Sequence, residues 1–160
     1  MGNGKKALFP YAGRRSKMEE NNEMEKMQEK TELDERPLRI LITDDSKLLR
    51  KKLRVELEKV GCEVIEAENG KDAVMLTLQE KPDGVFLDIV MPEVGGIEAL
   101  RVMKEVSPEL PVIMLSSAGT PQKLMETLKL GALDFIQKPY TSAQIAKAIE
   151  SIRKKAFGDE

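Results

Sequence analysis

Three short stretches of this chain are almost unbroken in apolar character: Leu38-Arg39-Ile40-Leu41-Ile42, Val85-Phe86-Leu87 and Pro111-Val112-Ile113-Met114-Leu115. A strand with one wet face alternates apolar and polar residues, whereas a strand buried on both faces of a parallel sheet does not. Segments with helical spacing separate the three runs. Ser46 is placed to cap a helix reaching Val60, with Leu49, Leu53, Leu57 and Val60 inward and its Lys and Arg residues in water. Gly61 ends that helix, and Glu63-Val64-Ile65-Glu66-Ala67 reads as a further strand. Asn69-Gly70 turns into a helix carrying Ala73, Val74 and Leu76. Gly96 to Val106 and Thr120 to Leu130 form two more, the latter stopped by Gly131. Phe135-Ile136-Gln137 is a short last strand, and Thr141 or Ser142 caps a last helix with Ile145, Ala148, Ile149 and Ile152 inward. Five strands alternating with five helices predict an α/β fold, a doubly wound parallel sheet covered on both faces. The fully apolar strands take its central positions.

Residues 1–36 have a different character. Five bases and no acid precede Met18, and Met18 to Arg36 holds eight acids against three bases. With so few apolar residues no separate core can form. The expectation is a charged extension, disordered or partly helical, in which only Met24, Met27 and Leu33 offer a seam; Pro37 opens the domain at 37–160.

Composition excludes several kinds of chemistry. The chain of 160 residues has no histidine, which removes histidine triads, histidine metal sites and histidine phospho-carriers. A single cysteine, Cys62, excludes a disulfide framework and fits a reducing, cytoplasmic setting. A net charge of −2 makes no case for nucleic acid from the whole chain, and no apolar run approaches a membrane span, so no insertion is expected.

The polar residues that follow the strands carry the functional signal. Strand one runs into Asp44-Asp45, strand three into Asp88 with Pro92 four residues on, strand four into Ser116-Ser117, and strand five into Lys138-Pro139. In a parallel sheet these ends share one edge, where ligands collect. Like charges about 4 Å apart repel by roughly 4 kcal/mol at a surface-like dielectric, so such acids suit a divalent cation; Mg2+ favours one or two carboxylates plus phosphate oxygens. Each residue also has an ordinary reading. Asp44-Asp45 can cap the first helix, Asp88 can open a loop, Ser116 can cap or turn, and Lys138 can be a surface lysine.

Taken together, Ile-Thr-Asp-Asp-Ser, Leu-Asp-Ile-Val-Met-Pro, Met-Leu-Ser-Ser and Gly-Ala-Leu-Asp-Phe-Ile-Gln-Lys-Pro resemble the receiver domain of two-component response regulators, over about Leu38 to Lys154. The later block also looks like the chemotaxis regulators. The resemblance implies a flavodoxin-like strand order 2-1-3-4-5. It implies that Asp88 accepts a phosphoryl group from a phosphohistidine on a histidine kinase or histidine phosphotransferase. Asp44, Asp45, Asp88 and the Val90 backbone carbonyl would hold Mg2+, while Ser116 and Lys138 would meet phosphoryl oxygens. Phe135, with a plain core aromatic as its alternative, would follow activation together with Leu124 and Tyr140 on an output face, and Lys138–Pro139 would be cis. Such a protein is a phosphoacceptor rather than an enzyme acting on an external substrate.

Two departures from the family pattern bear on its behaviour. Gly95-Gly96 stands where the family often has Asp-Gly, which loosens the loop. Val90 and Ala118 replace polar groups that help orient attacking water, so self-dephosphorylation should be slow. With the chain ending at Glu160, output is expected through binding a protein such as a flagellar motor switch protein, or through relay. The rivals fit less well. A haloacid-dehalogenase-type phosphatase wants an acid where Val90 stands, a flavodoxin phosphate would be repelled by Asp44-Asp45, and a pseudo-receiver lacks one of the key residues. Nucleic-acid binding through Lys5, Lys6, Phe9, Tyr11, Arg14 and Arg15 would show as salt-sensitive affinity.

Overall fold

The computed structural model describes residues 16–117 and 120–158, apart from the side chains of 29–35. The chain divides into two compact units, Met1–Arg36 and Pro37–Glu160. The described part of the first is one helix, α1 (Lys17–Glu35). Its start is reciprocally capped: the Glu19 N–H donates to Ser16 Oγ at 3.0 Å, and the Ser16 N–H donates to Glu19 Oε1 at 2.9 Å. Met18, Met24 and Met27 are exposed on it. The basic arm singled out in the sequence lies outside the described residues.

The second unit alternates without exception: β1 (Arg39–Thr43), α2 (Lys47–Lys59), β2 (Glu63–Ala67), α3 (Gly70–Glu80), β3 (Gly84–Asp88), α4 (Gly96–Val106), β4 (Val112–Ser116), α5 (Pro121–Lys129), β5 (Asp134–Gln137) and α6 (Ser142–Phe157). All four strand pairs are parallel, and the order is β2-β1-β3-β4-β5, as expected. With α1 the described helices number six. The central strands β3 and β4 are buried at every residue, whereas β2 and β5, at the edges, are mixed. Ile40, Ile42, Phe86, Ile113 and Leu115 face α2 and α6, and Leu41, Val85, Leu87, Val112 and Met114 face α3 and α4. This two-sided burial is why the strands read as continuous apolar runs. Each fully buried side chain of this size contributes about 1.5–3 kcal/mol.

The caps follow the sequence. Ser46 Oγ accepts the Leu49 N–H, Asn69 Oδ1 accepts the Asp72 N–H, Thr120 Oγ1 accepts the Lys123 N–H, and Thr141 forms a capping box with Gln144. The inner face of α2 needs correction. Leu53 and Leu57 are buried, Leu49 is only half-buried, and Val60 is 45% exposed because the helix has already ended at Lys59. Arg50, expected in water, is 9% exposed.

Cys62 lies in the cluster under α2 and α6. Burial pushes its thiol up from 9.0 to about 11, with Arg153 opposing and Asp83 adding to the rise. A folded-state pKa above the unfolded one favours the protonated, native form. This contribution is present below about pH 9, the ordinary value, and is lost as pH rises towards 11. Comparing urea midpoints at pH 8 and pH 11, the wild type is expected to lose more stability than Cys62→Ala. Equal losses would remove the thiol as the cause.

Candidate functional site

The register places the ends of β1, β3, β4 and β5 side by side: Thr43 pairs with Leu87, Asp88 with Leu115, and Ser116 with Gln137. One residue past β1, Asp44 is buried, its backbone N–H donating to Ala67 O at 3.3 Å. Its Oδ1 accepts the Ser46 N–H at 2.9 Å, so the residue that caps α2 also fixes this carboxylate. Asp45, next along, is exposed. Asp88 closes β3 and is buried, with Oδ1 accepting the Val90 N–H at 3.3 Å. One carboxylate oxygen from each of Asp44, Asp45 and Asp88 lies within 4.8 Å of the others.

Lys138 reaches this cluster from beyond β5. Its Nζ is 2.8 Å from Asp44 Oδ2 and 3.2 Å from Asp88 Oδ2, and its backbone N–H donates to Ser116 O at 2.7 Å. The Lys138–Pro139 peptide is cis. Burial works against the Lys138 charge, but the bond to Asp44 and the charge of Asp88 outweigh it and raise its pKa. Burial also pushes the Asp88 carboxyl up, and the Asp44 charge adds to this against the opposing pull of Lys138. Burial thus makes the ionised form of Asp88 less favourable than that of an ordinary carboxylate, and added positive charge offsets this.

Two buried hydroxyls, Ser116 Oγ and Thr43 Oγ1, have no hydrogen-bond partner. An unpaired buried hydroxyl costs about 1–3 kcal/mol. Ser116 stands at the end of β4, on the shared edge with Asp88 and Lys138. The donor set also fits a hard cation. It is all oxygen, with two carboxylates fixed by N–H groups and a third turned to solvent, as suits an ion that keeps several waters. Val90, whose carbonyl is expected among the ligands, is 59% exposed.

The remaining predicted residues separate by layer. Leu124 and Phe135 are half-buried against the cluster under α3 and α4, whereas Tyr140 packs against the opposite one. Ala118 lies outside the described residues. One residue had no sequence signal. Arg50 donates from Nη1 to Asp44 O at 2.7 Å and from Nε to Glu66 Oε1 at 2.9 Å. Only its position one turn after the cap, above a strand carrying an acid, could have indicated this.

Comparison with known proteins agrees with the geometry. The family model of the response regulator receiver domain matches residues 40–150. The chemotaxis protein CheY of Thermotoga maritima is 38% identical over 117 residues, covering 72% of this chain and 98% of that protein. The phosphate regulon transcriptional regulatory protein PhoB of Pseudomonas aeruginosa is 35% identical over 123 residues, covering 75% of this chain and 54% of that protein. Among solved structures, the CheX–CheY–BeF3–Mg2+ complex from Borrelia burgdorferi superposes with a TM-score of 0.70 at 33% identity, covering 73% of this chain and 90% of that one. The chain belongs to the response regulator receiver domain family, whose members are phosphoacceptor signalling domains partnered by histidine kinases. Such domains bind Mg2+ through an aspartate cluster, and Asp44, Asp45 and Asp88 form one here. Among the described residues no helix is long and apolar enough to cross a membrane.

Proposed function

We propose that Asp88 is the phosphoacceptor of a receiver domain spanning residues 37–160, and that the protein signals by phosphorylation-dependent binding in chemotaxis or flagellar motor control. The observation that carries the first part is the Lys138 ammonium bridging Asp44 and Asp88 beside the unpartnered Ser116 hydroxyl. An Asp88 oxygen attacks the phosphorus of a phosphohistidine in line, the P–O bond forms as the P–N bond breaks, and the imidazole leaves. Phosphoryl transfer asks the protein mainly for position and for charge to meet the transferring oxygens. Lys138 supplies an ammonium that can turn from the carboxylates to a phosphoryl oxygen, and the Ser116 hydroxyl can donate a hydrogen bond to another. Asp44, Asp45, Asp88 and the Val90 carbonyl would hold Mg2+, which adds positive charge to the phosphoryl oxygens when bound.

A phosphoryl group shifts shape only through contacts better made in one state. Moving Ser116 inward frees space beside Phe135, and Leu124, Phe135 and Tyr140 report the change at the output surface. The chemotaxis reading is supported by relatives named CheY that match along nearly their whole length.

Incubating wild type and Asp88→Asn with acetyl phosphate and Mg2+ tests the acceptor on a phosphate-affinity gel. A shifted band is expected for wild type and none for the variant; equal labelling of both would move the acceptor elsewhere. Pull-downs with flagellar switch proteins and with histidine phosphotransferases then separate motor control from relay.

A further inference from the structure

We propose that Arg50, held by Glu66, is a positioning residue that sets the affinity of the Asp44–Asp45–Asp88 cluster for a divalent cation. This rests on the reading of that cluster as a metal site. Arg50 is 9% exposed, and its guanidinium makes two directed contacts. Nη1 donates to the backbone carbonyl of Asp44 at 2.7 Å, and Nε donates to Glu66 Oε1 at 2.9 Å. Glu66 is itself held on its other oxygen by Arg54 Nε at 2.7 Å. Arg50 thus ties the β1–α2 turn to the edge strand β2 at the residue whose carboxylate faces the cluster.

Asp44 is otherwise fixed through its N–H to Ala67, through Oδ1 by the Ser46 N–H and through Oδ2 by Lys138. Of these, the Lys138 contact has to loosen when a cation takes the carboxylate. The Arg50 bond lies on the peptide between Asp44 and Asp45 and can persist in both states. It therefore holds the orientation of both acids relative to Asp88. A lysine cannot replace it: an ammonium is a point donor, whereas the guanidinium places two N–H groups in fixed, divergent directions. Groups that orient metal ligands typically change affinity by about 10–100-fold when removed.

The test uses the full chain, with Mg2+ affinity measured by titration calorimetry for wild type, Arg50→Lys, Arg50→Met and Glu66→Gln. Arg50→Lys and Arg50→Met are expected to weaken Mg2+ binding by about tenfold. Glu66→Gln, which removes the negative charge that holds the guanidinium without touching Asp44, should weaken it less but in the same direction. Acetyl phosphate labelling at graded Mg2+ should show the half-saturating concentration rising by the same factor while the rate at saturation holds. A purely structural arginine would lower the melting temperature and leave Mg2+ affinity alone. Arg50→Lys keeps charge and most of the volume, so the result survives if Arg50→Met fails to fold. Affinity within twofold of wild type in Arg50→Lys would overturn the role of Arg50 while leaving the site intact. Absence of Mg2+ binding to wild type would overturn the site and this inference together.

Discussion

Lys138→Met is expected to destabilise the metal-free protein by about 3 kcal/mol, the low end of what breaking a buried ion pair costs. Asp44 and Asp88 are both buried, and the ammonium is within 3.2 Å of each. Methionine fills much of the space of the lysine stem, so the change is one of charge rather than packing. Without the cation, one N–H from Ser46 and one from Val90 remain to hold two buried negative charges. Asp88→Asn removes one of those charges, so Lys138→Met should cost clearly less in that background; a coupling of about 1–3 kcal/mol is expected from the double-mutant cycle. Mg2+ can replace the missing charge. A ligand at about 100 times its Kd stabilises by about 2.7 kcal/mol, so the urea midpoint of Lys138→Met should rise steeply with Mg2+. An unchanged midpoint in metal-free buffer would mean that the ammonium does not hold the two acids in solution.

The same electrostatics explains why the site was readable in sequence. Acids, a hydroxyl and an ammonium at the ends of apolar strands stand out because the central strands here are buried on both faces and are almost wholly apolar. Once the sheet is parallel, their ends must meet on one edge, and Asp44, Asp88, Ser116 and Lys138 do so. Strand order was a different matter. Periodicity places the most apolar strands centrally but does not choose among orders, and 2-1-3-4-5 came from resemblance. The strand starts show what apolar runs measure. The apolar runs take in Leu38 and Pro111, which lie just before β1 and β4, yet their carbonyls accept the N–H groups of Glu63 and Val85. At Pro111 the ring removes the N–H, so only the carbonyl can join the ladder.

Arg50 was missed for the converse reason. Helical spacing assigns faces by hydrophobicity, and an arginine counts as solvent-facing unless its partners are known. Those partners are a carbonyl in a turn and an acid on a neighbouring strand, and neither follows from spacing along the helix. Glu66 appeared only as a polar residue in a strand, and its carboxyl is in fact held down by Arg54 and Arg50 against the opposing effect of burial. The two unpartnered hydroxyls were equally invisible, since a serine after a strand reads as a turn residue until its surroundings are known.

Gly95-Gly96 gives the second large effect, and there the two neighbouring glycines should behave oppositely. A Cβ added at Gly96 would fall inside the carbonyl oxygen of Asp88 and lie 2.7 Å from Ile89 Cα, and all of this is backbone. At Gly95 the nearest atom to an added Cβ is Ile89 O at 3.7 Å, an ordinary contact, and its φ of −72° suits any residue. Gly96 opens α4, and helix propensity alone would make Gly96→Ala stabilising by up to about 1 kcal/mol. The close approach reverses the sign, because neither α4 nor β3 can yield without repacking Ala99 and Leu100 on one side and Leu87 on the other. A loss of about 3 kcal/mol is expected, the upper end for overpacking. The clash falls on the carbonyl of Asp88 itself, so acetyl phosphate labelling should fall further than the folded fraction does. Gly95→Ala should stay within about 0.5 kcal/mol of wild type and label normally. The loop is thus not merely loosened by its paired glycines. Gly96 lets the start of α4 rest on the peptide that carries Asp88, and a Gly96→Ala protein as stable as wild type would show that α4 does not fix the acceptor.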